Sequence, residues 1–159
     1  MRAHNGAVAI AVPMSDIRVD GDLSDWPRDL AIHPTARTEY GVPPSSTTDL
    51  QASFRVGRSH DNTELYLAID VTDDSWIGDE TGRAGWDGRD GVEIYLDLQH
   101  AADSRTLQYV MRGGEWGLGL AEGIGSIVPA ANVDAAMAQS PGRRRYEWRL
   151  ALPETVTMP

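Results

Sequence analysis

Strict alternation of apolar and polar residues most limits what this chain can fold into. In Glu64–Thr72, Leu65, Leu67, Ile69 and Val71 fall on one side, and Glu64, Tyr66, Ala68 and Asp70 on the other. Successive side chains of a strand point to opposite faces, so a period of two predicts half-buried strands. Gly91–Leu98 repeats the pattern, with Val92, Ile94, Leu96 and Leu98 set against Glu93, Tyr95 and Asp97. Arg145–Leu152 puts Tyr146, Trp148, Leu150 and Leu152 together. Further strands are expected at Ile17–Asp20, Asp49–Val56, Thr106–Arg112 and Trp116–Leu120, and Ala7–Val12 reads as the first. Turn residues lie between them at Asp61-Asn62, Gly113-Gly114 and Pro141-Gly142. Only Val133–Met137 looks helical. Many short strands with little helix predict an all-β fold, an antiparallel β-sandwich of the jelly-roll or immunoglobulin-like kind.

The length of 159 residues suits a single domain over 1–159. Acidic residues outnumber basic ones, 24 to 14, for a net charge of −10. That balance argues against nucleic acid, because phosphate binding needs cationic side chains to displace counterions. Neutral sugars, metal cations and basic partners remain compatible with it. Cysteine is absent, which removes disulfides and thiolate chemistry together. No apolar run has the length of a membrane span. Ala7–Val12 lacks the flanks of a signal peptide, so an exported protein would carry its targeting segment outside this sequence.

Motifs of catalysis are missing. There is no G-x-S-x-G elbow, no H-E-x-x-H and no P-loop. His4, His33, His60 and His100 lack metal-ligand spacing. The Asp73/Asp74 pair has the chemistry of a glycosidase acid and base, but adjacent carboxylates arise by chance in so acidic a chain. The expectation is a binding domain, not an enzyme.

Four blocks carry a family resemblance. Val19-Asp20-Gly21-Asp22-Leu23-Ser24-Asp25-Trp26 resembles the opening signature of family 9 carbohydrate-binding modules, an Asp-Gly turn followed by Trp after a short strand. Glu64–Asp73 resembles that family's L-Y-containing strand, which ends in V-x-D. Trp86–Asp97 resembles its W-x-x-D-s-v-E-i-f-i-D block, with one extra residue between the Trp and the Asp. Tyr146–Leu152 resembles a later strand. The blocks fall in family order and span most of the chain.

The resemblance implies a β-sandwich that stacks a sugar on tryptophan and reads its hydroxyls with polar side chains. Carried over position by position, Trp86 matches the stacking tryptophan and Glu93 a carboxylate that accepts hydroxyl hydrogen bonds. Gln108 matches a polar residue on the neighbouring strand. Relatives often carry Arg two residues after that Gln; here Val110 stands there, and Arg112 is one step further on the same face. Trp86 sits in the polar loop Asp73–Asp90, where it either stacks on a pyranose or folds over the sandwich edge. Trp76 offers a second wall or packs the loop. Trp26 and Trp148 read as core residues, and Arg143–Arg145 as a solvated turn.

Asp20, Asp22 and Asp25 carry oxygens that suit calcium, although an EF-hand's glycine and terminal glutamate are missing. Relatives hold structural calcium, which keeps these three as metal candidates; no other cofactor is implied. The chain stops at Pro159, where relatives begin their last strands and supply a second stacking tryptophan. The expected partners are an oligo- or polysaccharide and the attached domains of a larger protein, in an extracytoplasmic setting, with no nucleic acid and no membrane insertion. Two rivals share the fold. One is an extracytoplasmic sensory domain of a receptor such as a histidine kinase, with no true sugar site. The other is a haem-binding sandwich, which the absence of Lys disfavours.

Overall fold

The computed structural model describes residues 8–35, 37–38, 41–77, 90–97, 107–112, 115–117 and 133–152, with backbone alone at 107, 112 and 115–117. Nine strands follow in chain order among these residues: β1 (Val12–Pro13), β2 (His33–Thr35), β3 (Leu50–Arg58), β4 (Glu64–Asp73), β5 (Gly91–Leu96), β6 (Leu107–Arg112), β7 (Glu115–Gly117), β8 (Val133–Ser140) and β9 (Arg143–Ala151). A single 3-10 turn, Leu23–Asp25, interrupts the pattern. The larger sheet runs β1-β3-β4-β9-β8, with β2 also on β3; the smaller runs β5-β6-β7. Every pair is antiparallel except β1 with β3.

The alternation read from the sequence becomes the two faces of the larger sheet. Leu65 pairs with Leu150, Leu67 with Trp148 and Ile69 with Tyr146, so one face of β4 and β9 is continuously apolar. Against it pack Ile94, Tyr109 and Met111 of the smaller sheet, forming one core with Val133. Trp148 and Tyr146 are stacked there at 6.0 Å between ring centroids and are both 1% exposed. Truncating such an aromatic to Ala costs about 3–5 kcal/mol.

The outer face of the larger sheet is covered as well. Small residues, Gly57 and Ala68, leave a shallow bed on it, and the chain from Met14 to Leu30 lies in that bed. Met14, Trp26 and Leu30 bury themselves there with Tyr66 and Ala68 as a second apolar cluster. This explains why Ile17–Asp20, expected as a strand, is not one: the segment crosses the sheet as a strap and pairs with no strand. Trp26, read as a core residue, belongs to this outer cluster and not to the main core.

Val133–Met137 is strand, not helix. Alanine-rich sequence favours a helix locally, but tertiary pairing overrides that weak preference. Here β8 forms a hairpin with β9, register Ser140 to Arg143. Pro141-Gly142 makes its turn, and Gly142 takes the φ of +68° that glycine tolerates. The Asp61-Asn62 turn is also as expected. Asp61 accepts from the Ser59 and Thr63 hydroxyls and the Thr63 N–H, which holds its carboxyl down to about 2. Among the described residues no helix is long and apolar enough to cross a membrane.

Candidate binding site

Three polar side chains meet on one face of the β5–β6 pair. Antiparallel register sets Tyr95 opposite Gln108 and Glu93 opposite Val110, on the side away from Ile94, Tyr109 and Met111. The Tyr95 hydroxyl donates to Glu93 Oε2 at 2.6 Å. Gln108 Nε2 donates to the Tyr95 oxygen at 2.8 Å and reaches Glu93 Oε2 at 3.4 Å. The direction of the chain follows from donor chemistry. An amide nitrogen only donates and a carboxylate only accepts, so the phenol must pass its one proton to Glu93.

Exposure differs sharply within the group. Gln108 is 8% exposed, whereas Tyr95 is 50% exposed. Gln108 Oε1 is buried with no hydrogen-bond partner among the described residues. Leaving such an acceptor unpaired costs about 1–3 kcal/mol, a cost that sites of function tolerate more often than ordinary cores. Glu93 and Gln108, predicted as partners on one sugar, are therefore brought together. Tyr95 joins them; its alternation with Glu93 was visible, but nothing in the pattern marked it as a member of the site.

The other candidates fall elsewhere or outside the described residues. Trp86 lies outside them. Arg112 pairs by backbone with Gly91, beside Glu93 along the strand, and its side chain is not described. Trp76 is placed at the end of β4, with the Arg144 guanidinium carbon 3.9 Å from its ring centroid. Arg144 corrects the expectation of a solvated Arg run. It is 4% exposed, faces inward opposite Val71, and lies 3.9 Å from Asp73. Counting back by twos from Trp148 and Tyr146 was the signal that placed it inside. Its neighbour Arg143 does face outward, where it pairs with Asp70.

Just beyond Trp76, Ile77 and Asp90 are paired by two hydrogen bonds. Ile77 N–H donates to the Asp90 carboxylate at 2.7 Å, and Asp90 N–H donates to the Ile77 carbonyl at 2.8 Å.

Asp20, Asp22 and Asp25 all bind backbone N–H groups. Asp20 accepts from Asp22 N–H at 2.8 Å, Asp22 from Ser24 N–H at 3.2 Å, and Asp25 from Arg18 N–H at 2.7 Å. Among the described residues no group of three or more His, Cys, Asp or Glu is arranged to hold a metal ion. The backbone of this turn also donates to Glu147, which the sequence left unmarked. Fully buried, Glu147 accepts from Trp26 Nε1, Asp20 N–H and Gly21 N–H at 2.6, 2.9 and 2.5 Å. Burial pushes its carboxyl above the usual range, against the pull of those three bonds.

Two packed sheets, with a half-exposed polar and aromatic group on one strand pair, define a β-sandwich. The chain belongs to the carbohydrate family 9 binding domain-like family, whose model matches residues 19–117. It is similar in fold to a family 9 carbohydrate-binding module from Caldicellulosiruptor kristjanssonii solved with glucose. That likeness has a TM-score of 0.64 at 19% identity and covers 95% of this chain and 72% of that one. A second structure from the same organism, solved with cellotriose, gives 0.62 at 19% identity over 92% of this chain and 69% of that one. No curated protein sequence matches the chain.

Proposed function

We infer that this domain binds neutral carbohydrate and leaves chemistry to other domains. The observation that carries the reading is the hydrogen-bonded group of Glu93, Tyr95 and Gln108 on one face of β5 and β6. A carboxylate held by a phenol and an amide is a preorganised acceptor for sugar hydroxyls, and fixed acceptors bind at lower entropic cost than mobile ones. Family membership and the glucose and cellotriose bound by similar structures support the same ligand class. So does the net charge of −10, which suits a neutral polymer better than an anionic one.

In this reading Glu93 accepts from the sugar, and Gln108 stands behind it. Trp86 stacks on the C–H face of a pyranose. Trp76 has one ring face taken by Arg144 and offers at most the other. The setting that suits the reading is extracytoplasmic, within a larger polysaccharide-handling protein. Affinity electrophoresis through gels containing xylan or mixed-linkage β-glucan tests it. Retarded migration that is lost in Glu93→Ala and Trp86→Ala is expected. Free migration of the wild-type domain in every gel would refute sugar binding and favour a sensory sandwich without a sugar site.

A further inference from the structure

We propose that Tyr95 is the aromatic floor of the site and Gln108 the positioning residue that holds it. The inference rests on the carbohydrate reading above and names a contact that reading does not require. Tyr95 is a large ring on a sheet face, 50% exposed, in a strand whose other large apolar side chains turn inward. Free rings of that kind rotate about χ1 and χ2. This one is tethered at its far end, because its oxygen gives a proton to Glu93 and takes one from Gln108. Two hydrogen bonds at the para oxygen, with the backbone at the other end, fix where the ring axis lies beside the carboxylate.

The buried amide explains how the tether is kept. Gln108 turns its nitrogen toward Tyr95 and Glu93, and its oxygen is left buried without a partner among the described residues. The opposite amide orientation would set that oxygen against the Glu93 carboxylate, acceptor to acceptor. The amide therefore accepts an unpaired oxygen in exchange for holding the two outer groups in register. A polar core residue that only filled space would have no reason to bear that cost.

An exposed ring anchored through its hydroxyl beside a carboxylate has a defined ligand class. The ring takes an uninterrupted C–H face, which a pyranose with equatorial hydroxyls presents. The adjacent carboxylate takes the hydroxyl donors at the rim of that face. A uronic acid would bring a second negative charge beside Glu93 and is disfavoured. Neutral gluco- or xylo-configured sugars are accordingly the class this surface accepts.

The test is an NMR titration of the whole domain with cellotriose, using wild type, Tyr95→Phe and Tyr95→Ala, with Tyr ring resonances followed directly. Tyr95 ring signals shifting on binding, together with about tenfold or greater weakening in Tyr95→Ala, is the expected result. Tyr95→Phe keeps the ring and loses the tether, so it should weaken binding by only a few-fold. Wild-type binding with unshifted Tyr95 signals and an unaffected Tyr95→Ala would overturn the inference and leave sugar binding intact. A wild-type domain that binds neither cellotriose nor any other neutral sugar would overturn both.

Discussion

Trp26 Nε1 donates to Glu147 Oε1 at 2.6 Å, joining two buried side chains 121 residues apart in the chain. The bond ties the strap that crosses the larger sheet to the strand beneath it. It gives the Asp-Gly turn and the tryptophan of the opening motif a common structural purpose, since Asp20 and Gly21 donate to the same carboxylate. Glu147→Gln keeps the shape but replaces an acceptor oxygen with a donor facing other donors. A loss of about 1–3 kcal/mol in denaturant unfolding is expected.

The same residue sets a pH dependence with a definite sign. Burial holds the folded carboxyl above its unfolded value. The folded state therefore binds the proton more tightly, and the stability this contributes is present at low pH and lost as pH rises through the folded value. Glu147→Gln removes the titration. The stability gap between wild type and variant should be widest in acid and narrow toward neutral pH, a trend that paired urea titrations across the range would read.

Gly21 lies at φ +82°, and a Cβ there would press on Ala138 of β8, 2.8 Å from its Cβ and closer still to its backbone nitrogen. Both faults strike one position. Gly21→Ala should destabilise by about 1–3 kcal/mol or more, measured as a drop in thermal midpoint. A neutral outcome would mean that the strap does not sit on β8 as described.

Arg144→Met probes the buried cation over Trp76. Two guanidinium nitrogens already lack hydrogen-bond partners among the described residues, and Asp73 keeps its bond from Ser75 N–H. Removing the charge should therefore cost no more than about 1–2 kcal/mol, less than breaking a well-paired buried ion pair. The indole emission of Trp76 should shift red as the ring is released. A loss of several kcal/mol would show the Arg144–Asp73 attraction to be structural in its own right.

How much of this was legible beforehand depended on what each residue answers to. β4, β5 and β9 were readable because each buries one face, and burial writes a period of two into the sequence. β8 was not, because Asp134, Ala135 and Ala136 carry little apolar contrast and its partner strand decides its conformation. Ile17 and Val19 alternate like a strand, yet their segment packs as a strap over Ala68 and Gly57, and those small residues lie in strands far along the chain. Glu93 and Gln108 were found through the family resemblance, and strand parity agreed. Tyr95 was visible by parity only. Its part emerges from hydrogen bonds to both neighbours, which no linear pattern records. Glu147 looked like any charged strand residue until its buried partners were in place.

The central claim is that the face built by Glu93, Tyr95 and Gln108 binds neutral sugar. Isothermal titration of the intact domain with glucose and cellotriose, alongside Glu93→Ala, tests it most directly. The account predicts a saturable heat for wild type that Glu93→Ala reduces by about tenfold or more in affinity, with its unfolding midpoint little changed. Wild-type binding that Glu93→Ala leaves untouched would place the sugar elsewhere on the domain and contradict the claim.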